Sequence, residues 1–126
     1  MIHGIGVDIV AHARIEKMYA RHGARLARRI LSARELEEFR VTRKQPAHYL
    51  ASAFAVKEAF VKALGTGFRG VTHRDPGVVR DELGKPSLIY SRALARRLKA
   101  LGIGGGHVSL SDDGGMVCAY VILEKA

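Results

Sequence analysis

Three side chains have the types and the spacing that phosphate chemistry needs. Glu58 and Lys62 are four residues apart, so they share one face of any helix that contains both. Asp8 closes an apolar stretch near the start of the chain. A carboxylate from a strand end and one from a helix can together hold Mg²⁺, which keeps several waters and binds substrate phosphates. Lys62 would then place a positive charge beside those phosphates.

Simpler interpretations of the same residues stay open. A Glu–Lys pair at this spacing is more often an exposed ion pair, which adds little stability. Asp8 by itself is equally compatible with a turn or a helix cap before Ala11. The segment around Glu58 also has a row of small residues on one helix side, which would let another element approach closely: Ala51, Ala55 and Ala59.

The elements that must position these residues begin with a strand and two helical segments. Residues 2–10 alternate loosely between apolar and other side chains, as a strand does. Helical spacing follows over residues 11–30, where Gly23 is a possible interruption. Ser32 and Glu35 form a capping-box pattern, so a short helix is expected after Ser32.

The central helix is the clearest element, and shorter elements follow it. It is predicted over residues 47–64, with Pro46 before its start and Gly65 as its stop. Because two strands close the chain as a hairpin, which must be antiparallel, the fold class is predicted to be α+β. The later elements are short strands at 76–80 and 87–90, a basic helix at 91–101, a glycine break at 102–106, and a hairpin of His107–Ser111 with Met116–Glu124.

Composition limits the class of protein and its surroundings. A length of 126 residues with 48% hydrophobic and 26% charged side chains predicts one domain and excludes a disordered chain. The single cysteine, Cys118, lies in an apolar run and is expected to be buried, and the chain fits a reducing compartment. There is no signal-peptide pattern and no membrane-spanning apolar run, so a cytoplasmic location is expected.

The chain is strongly basic. It has 21 Lys and Arg against 12 Asp and Glu, a formal net charge of +9, and this field attracts acidic partners. Charge alone is compatible with nucleic acid, an anionic membrane, an acidic protein or a polyphosphate ligand.

Four short motifs occur in order along the chain: Gly4–Val10, Phe54–Gly65, Gly84–Pro86 and His107–Ser111. The Lys-Glu-Ala-x-x-Lys pattern of the second motif is specific, whereas the Gly-x-Gly and Gly-Lys-Pro pieces are weak alone. Together they make the chain resemble the holo-acyl-carrier-protein synthases, the short phosphopantetheinyl transferases, over essentially its whole length.

The resemblance implies a reaction and an architecture. The reaction moves 4′-phosphopantetheine from coenzyme A to a serine of an apo acyl carrier protein and releases 3′,5′-ADP, for fatty acid biosynthesis. Mg²⁺ is the implied cofactor, with Asp8 and Glu58 as its ligands and Lys62 at the diphosphate. The base stays open between a water on the metal and a carboxylate such as Glu58. The implied architecture is a small antiparallel sheet with a long central helix, one domain over residues 1–126, and a homotrimer with sites between subunits.

The resemblance also implies contacts with the rest of coenzyme A. Lys44 would lie near the nucleotide 3′-phosphate, and His107 would face the phosphates. The remaining implied contacts are Gly65 and the adenine-side loop Gly84, Lys85 and Pro86.

Two positions depart from the family pattern. Ala53 stands where similar proteins commonly carry Arg, and Asp112 stands where His is common. Both departures concern nucleotide binding and leave the reaction itself untouched. If the family arginine contacts a phosphate of coenzyme A, then Arg43, Lys44 or His48 must compensate for Ala53, or the affinity for coenzyme A falls.

A row of arginines fits the acidic carrier that the resemblance implies. Arg14, Arg21, Arg25 and Arg29 are spaced by seven, four and four residues, close to one helix face. For an isolated helix the better interpretation would be a solvated basic face. The other motifs favour a docking surface for the acidic acyl carrier protein.

Two other functions are compatible with a basic chain that carries these carboxylates. An RNA-binding protein predicts aromatic side chains among the basic ones, but the stretch from Arg14 to Arg29 contains only Tyr19. A magnesium-dependent phosphohydrolase would use the same metal chemistry with water as nucleophile, and it would leave the basic helix unexplained. No nucleic-acid or membrane partner is therefore expected.

Overall fold

Strands and helices are interleaved along the chain in the order that the sequence predicts. The computed structural model describes residues 1–42 and 45–126. Within these ranges the elements are β1 (Ile2–Ala11), α1 (His12–His22), α2 (Ala24–Ile30), α3 (Ala33–Val41), α4 (Pro46–Leu64), β2 (Pro76–Arg80), β3 (Pro86–Tyr90), α5 (Arg92–Ala100), β4 (Ile103–Asp113) and β5 (Met116–Lys125). The strand pairs that they form are antiparallel, and the predicted α+β class is confirmed.

Helix α4 lies across one face of a three-stranded sheet with the strand order β1-β5-β4. Strands β2 and β3 form a separate two-stranded sheet. Since successive side chains of a strand point to opposite faces, every second side chain of β5 packs beneath α4. These buried residues are Val117, Ala119, Val121 and Leu123. The predicted small antiparallel sheet with a long central helix is confirmed.

Helix α4 begins and ends where its proline and glycine predict. Pro46 occupies the first turn, where its missing N–H is not needed. Gly65 has a φ of 90°, which glycine adopts without strain, and its N–H donates to the carbonyl oxygen of Val61. No helix in the described ranges, α4 included, is long and apolar enough to cross a membrane.

The first helical segment is two helices, α1 and α2. Gly23 separates them with a φ of 56°, so the interruption predicted at this residue is confirmed. Ile15 of α1 and Leu26 of α2 are both buried in the core. Both helices therefore turn an apolar face to the same core despite the break.

Strand β4 is longer than the sequence predicts, and His107 does not start the hairpin. The strand begins four residues before His107. It therefore includes glycines that the sequence predicts only as the end of the preceding helix. These glycines fit because neighbours come close: a Cβ on Gly106 would meet the Tyr90 hydroxyl at 2.6 Å. Gly114 and Gly115 connect β4 to β5 with positive φ angles, as a tight hairpin turn requires.

The prediction that Cys118 is buried is wrong. Its side chain is only partly buried. The two-residue period of β5 places Cys118 on the sheet face away from α4, opposite Ile9 of β1.

A buried ion pair joins α3 and β2 to α4. Lys57 Nζ lies 2.6 Å from Glu35 Oε1 and 2.6 Å from the carbonyl oxygen of Pro76. Glu35 also accepts hydrogen bonds from the backbone N–H groups of Ser32 and Val78, so its predicted capping role is confirmed and extended. Burial lowers the pKa of Lys57, and the neighbouring Glu35 carboxylate opposes that shift only in part.

Candidate active site

Glycines in β1 allow this strand to lie directly on α4. A Cβ on Gly4 would clash with the carbonyl oxygen of Ala63, and a Cβ on Gly6 with that of Ala59. Ala59 belongs to the predicted row of small residues and Ala63 continues it, so the predicted close approach is confirmed. Because Gly4 meets Ala63 and Gly6 meets Ala59, Asp8 falls about one turn further toward the start of α4.

Asp8 and Lys62 meet at this contact between β1 and α4. Lys62 Nζ lies 3.2 Å from Asp8 Oδ1 and donates a 3.0 Å hydrogen bond to the carbonyl oxygen of Val7. Lys62 therefore turns toward β1 instead of along the helix toward Glu58. The N-cap of α1 is Ala11, which has no side-chain cap, so Asp8 does not cap that helix.

Glu58 faces a histidine that no sequence motif indicated. His73 Nε2 lies 3.3 Å from Glu58 Oε1. The imidazole ring stacks against Phe54 and against Phe68, with centroid distances of 5.6 and 4.1 Å. The Arg14 guanidinium lies 5.8 Å from the centroid of the Phe54 ring, a cation–π contact. A continuous set of contacts thus connects the basic helix α1 to Glu58.

The donor set fits a magnesium ion. Asp8 and Glu58 offer hard carboxylate oxygens from partly buried side chains, 17% and 27% exposed. Mg²⁺ is commonly held by one or two carboxylates together with waters and substrate phosphates. Residues 1–42 and 45–126 contain no group of three or more His, Cys, Asp or Glu side chains that could hold a metal. A metal at the two carboxylates would therefore rely on water and substrate for its other ligands.

Two predicted coenzyme A residues, Gly84 and Pro86, line a separate cavity of about 190 Å³. His48 and Asp112 also line it, and His48 Nε2 lies 3.5 Å from Asp112 Oδ2. His48 precedes Glu58 by ten residues, on the order of 15 Å along the axis of α4. Within one chain the His48 end of this cavity is therefore separated from Glu58 along the helix.

Of the other predicted coenzyme A residues, His107 lies on the sheet face away from the helix that carries Glu58. Lys44 lies outside the described residues. Gly65 and Lys85 are exposed. His107 is exposed within β4, with Nε2 3.3 Å from Glu124 Oε1, and the strand register places it on the sheet face away from α4.

The predicted carrier-binding arginines are all exposed: Arg14, Arg21, Arg25 and Arg29. The break at Gly23 puts the first two on α1 and the last two on α2, so they do not form the one helix face that their spacing predicts. A groove of about 290 Å³ runs between the two helices. It combines apolar side chains with basic ones: Met18, His22, Arg25, Leu26 and Arg29.

Known proteins place the chain in a family. The family model of the 4′-phosphopantetheinyl transferase superfamily matches residues 4–119. The chain belongs to the 4′-phosphopantetheinyl transferase superfamily. This transferase is 47% identical over 126 residues to the holo-[acyl-carrier-protein] synthase of Neisseria meningitidis serogroup C, with 99% of the chain and 100% of the relative covered. It is 52% identical over 124 residues to the Halorhodospira halophila protein of the same name, with 98% of each covered.

Solved structures agree with the fold of this transferase. The crystal structure of the Neisseria meningitidis holo-[acyl-carrier-protein] synthase superposes with a TM-score of 0.93 at 47% identity, covering 99% of this chain and 100% of the other. The Helicobacter pylori enzyme, in complex with coenzyme A, superposes with a TM-score of 0.81 at 29% identity, covering 95% and 99%. The predicted family and the prediction of an enzyme are both confirmed.

Sequence reasoning missed two functional or structural residues of the transferase. Lys57 belongs to the specific motif, yet its side chain enters the core. A signal existed, since Lys57 continues an apolar stripe of α4 through Ala53, Phe60 and Leu64. His73 had no comparable signal, because a single histidine in a loop has no periodic context.

Proposed function

We propose that this transferase moves 4′-phosphopantetheine from coenzyme A to a serine of an apo acyl carrier protein and releases 3′,5′-ADP, as one domain over residues 1–126. It would thereby make holo-carrier protein for fatty acid biosynthesis. The observation that carries the proposal is the contact between Asp8 and Lys62, one turn from Glu58 on α4, in a chain of this superfamily. The names of the Neisseria and Halorhodospira relatives and the coenzyme A complex of the Helicobacter enzyme support it.

Asp8 and Glu58 are the proposed ligands of Mg²⁺. Bound there, Mg²⁺ would neutralise charge on the diphosphate and on the departing nucleotide. Lys62 holds the Asp8 carboxylate, and His73 holds that of Glu58, so both groups have a defined direction before substrate arrives.

Lys62 is the proposed stabiliser of charge on the reacting phosphate. Its side chain is 54% exposed even while it contacts Asp8, so a phosphate can reach the ammonium group. The carrier serine oxygen would form its bond to the β-phosphorus as the bond to 3′,5′-ADP breaks, and Lys62 would face the oxygens that gain charge. The serine proton would pass to water or to the Glu58 carboxylate.

The carrier protein is proposed to dock on α1 and α2. Arg14, Arg21, Arg25 and Arg29 supply positive charge there, and the groove beside Met18 and Leu26 supplies an apolar slot. Charge of this kind speeds the encounter with an acidic partner more than it tightens the final complex. The contact of Arg14 with Phe54, next to His73, connects this surface to the carboxylates.

The nucleotide end of coenzyme A is proposed to bind Gly84, Lys85 and Pro86, with contributions from Lys44, Gly65 and His107. The cavity that Gly84 and Pro86 line supports this assignment. His48, one of the residues expected to compensate for the buried Ala53, lines the same cavity.

A homotrimer with sites between subunits is the proposed assembly. Apolar side chains of β1 are exposed on the sheet face away from α4: Ile5 55%, Val7 48% and Ile9 61%. A contiguous exposed apolar face is typical of a subunit interface. The position of His107 on the sheet face away from α4 also favours sites completed by a neighbour. A cytoplasmic location is proposed, in keeping with the single cysteine.

Mass spectrometry of an apo carrier protein tests the proposal directly. The purified chain is incubated with coenzyme A, Mg²⁺ and apo acyl carrier protein, and the carrier is expected to gain the mass of one phosphopantetheine. Chromatography of the nucleotide products should show 3′,5′-ADP in equal amount. Release of the nucleotide without a mass gain on a competent carrier would favour the phosphohydrolase instead.

A further inference from the structure

The contact between His73 and Glu58 determines which atom donates the hydrogen bond. Its Nε2 lies 3.3 Å from Glu58 Oε1. An ionised carboxylate can only accept hydrogen bonds, so the nitrogen that faces it must carry the hydrogen. The neutral imidazole with hydrogen on Nε2 satisfies this requirement, and no change of charge is needed. One carboxylate oxygen of Glu58 is thereby held.

Two aromatic rings pack against the histidine ring. The Phe54 ring lies nearly parallel to it, with an interplanar angle of 12°, and Phe68 stacks at 25°. Stacked rings leave the imidazole little freedom to turn away from the carboxylate. Phe54 comes from α4 itself, so the ring is placed relative to the helix that carries Glu58.

The loop that carries His73 is fixed as well. The Asp75 carboxylate accepts hydrogen bonds from the N–H and hydroxyl of Thr72 and from the Ser91 hydroxyl. Burial raises the pKa of Asp75, but these hydrogen bonds outweigh it, and the net shift is downward. Arg74 Nε donates to the carbonyl oxygen of Leu31. The residues flanking His73 are thus tied to α5 and to the segment before α3.

We propose that His73 is a positioning residue for the Glu58 carboxylate. It binds Oε1, so Oε2 is the carboxylate oxygen that would be offered to a metal ion. The proposal rests on the function proposed above, in which Glu58 is a metal ligand. Hydrogen-bonding partners of ligating carboxylates commonly change metal affinity by about 10- to 100-fold when removed. His73 would therefore set how tightly the transferase holds its divalent cation.

A set of three substitutions separates hydrogen bonding from packing. His73→Phe keeps a stacked ring and removes the donor. His73→Gln and His73→Met have nearly the same shape, and only the glutamine can donate to Glu58. If the hydrogen bond positions Glu58, the phenylalanine and methionine variants should behave alike, and the glutamine variant should resemble the unsubstituted protein.

The primary measurement is the affinity of each variant for Mn²⁺, determined by electron paramagnetic resonance. Coenzyme A is present and the carrier protein is left out, so that no turnover occurs. His73→Phe and His73→Met should weaken Mn²⁺ binding about 10-fold or more. His73→Gln should stay within about threefold, because it keeps the donor. Thermal unfolding of each variant shows whether the fold is retained.

Glu58→Gln distinguishes failure of this proposal from failure of the proposed function. It should weaken Mn²⁺ binding at least as much as His73→Phe does. Unchanged Mn²⁺ affinity in Glu58→Gln would remove Glu58 as a ligand and overturn both ideas. If Glu58→Gln weakens binding and the donor-free His73 variants do not, only the positioning role is wrong. Equal weakening by His73→Gln and His73→Met would assign the effect to ring packing.

A kinetic measurement gives a second readout. The concentration of Mg²⁺ that supports half-maximal transfer should rise about 10-fold in His73→Phe. At saturating Mg²⁺ the turnover number should recover most of its value, because the substitution leaves the reacting groups in place. A turnover number that stays low at every Mg²⁺ concentration would contradict a role in metal binding.

Discussion

Lys57 and Glu58 are consecutive residues of α4, but they serve different sides of the helix. Lys57 Nζ lies 2.6 Å from Glu35 Oε1, and both of those side chains are fully buried. Glu58 faces the candidate site and contacts His73. Helix α4 thus connects α3 and β2 through one residue and presents a carboxylate to the candidate site through the next.

Substituting Lys57 should lower the free energy of unfolding without acting directly on the transfer reaction. Lys57→Met leaves the Glu35 carboxylate buried without its charged partner, so the free energy of unfolding should fall by about 3–5 kcal/mol. Urea unfolding followed by circular dichroism measures this change. Lys62→Met is the matched control on the same helix, since Lys62 is mostly exposed.

The two lysine variants should show opposite patterns. Lys62→Met should unfold at nearly the same urea concentration as the unsubstituted protein but transfer phosphopantetheine far more slowly. A Lys57→Met variant as stable as the control would show that the buried pair contributes little.

The approach of β1 to α4 requires glycine at position 6. Gly6→Ala would place a methyl group against the carbonyl oxygen of Ala59, so the strand must move away from the helix. The free energy of unfolding should fall by about 1–3 kcal/mol, as expected for overpacking. Because Asp8 lies on the same strand, the transfer rate should fall as well.

Gly105→Ala is the control for Gly6→Ala. Gly105 also lies in a strand, but a Cβ there would meet only Glu124 Oε2 at 3.8 Å, an ordinary contact. Its unfolding free energy should stay within about 0.5 kcal/mol of the unsubstituted protein. Equal destabilisation by both alanines would point to a general loss of strand flexibility instead of a specific contact.

Much of the fold follows from local signals. Pro46 and Gly65 set the ends of α4, and Ser32 sets the start of α3, because each acts within one turn of helix. The start of β4 was mispredicted because Gly104 and Gly106 favour a loop locally. Pairing with β5 overrides that preference, and only the three-dimensional structure shows it.

The site was predicted less completely, because its contacts join distant parts of the chain. Asp8 and Lys62 are 54 residues apart, and no sequence pattern predicted their contact with each other. His73 reaches Glu58 from a loop whose position depends on Asp75, and nothing in the local sequence indicates that arrangement.

Removing the charge of Glu58 should abolish most of the transfer. Glu58→Gln keeps the size of the side chain and loses one carboxylate from the metal site, so the rate at a fixed Mg²⁺ concentration should fall about 100-fold or more. The mass-spectrometric transfer assay measures this rate. Glu37→Gln, on an exposed part of α3, is the control and should keep its full rate.

The exposed apolar face of β1 should hold the subunits together. Val7→Glu places a charge in the middle of this face, and its desolvation in an interface would be costly. Sedimentation equilibrium should give about three times 13.7 kDa for the unsubstituted chain and a smaller mass for the variant. Leu101→Glu is the matched control, because Leu101 is also 48% exposed but lies beyond α5. Dissociation of both variants alike would contradict a specific role for β1.

The arginines of α1 should control how fast the carrier protein is captured. Reversing charge in Arg14→Glu or Arg21→Glu should reduce kcat/KM for the carrier by about 10-fold at low ionic strength. Because salt screens the interaction that each substitution removes, the decline of kcat/KM with added salt should become shallower. The KM for coenzyme A should stay nearly constant.

Arg96→Glu provides the comparison on another helix. Arg96 is exposed on α5, outside the proposed docking surface, and the substitution changes the net charge by the same amount. It should lower kcat/KM only slightly, through the overall field of the protein. Equal losses for Arg14→Glu and Arg96→Glu would mean that the carrier responds to net charge alone. A larger loss and a distinct salt dependence for the α1 variants would instead place the carrier on α1.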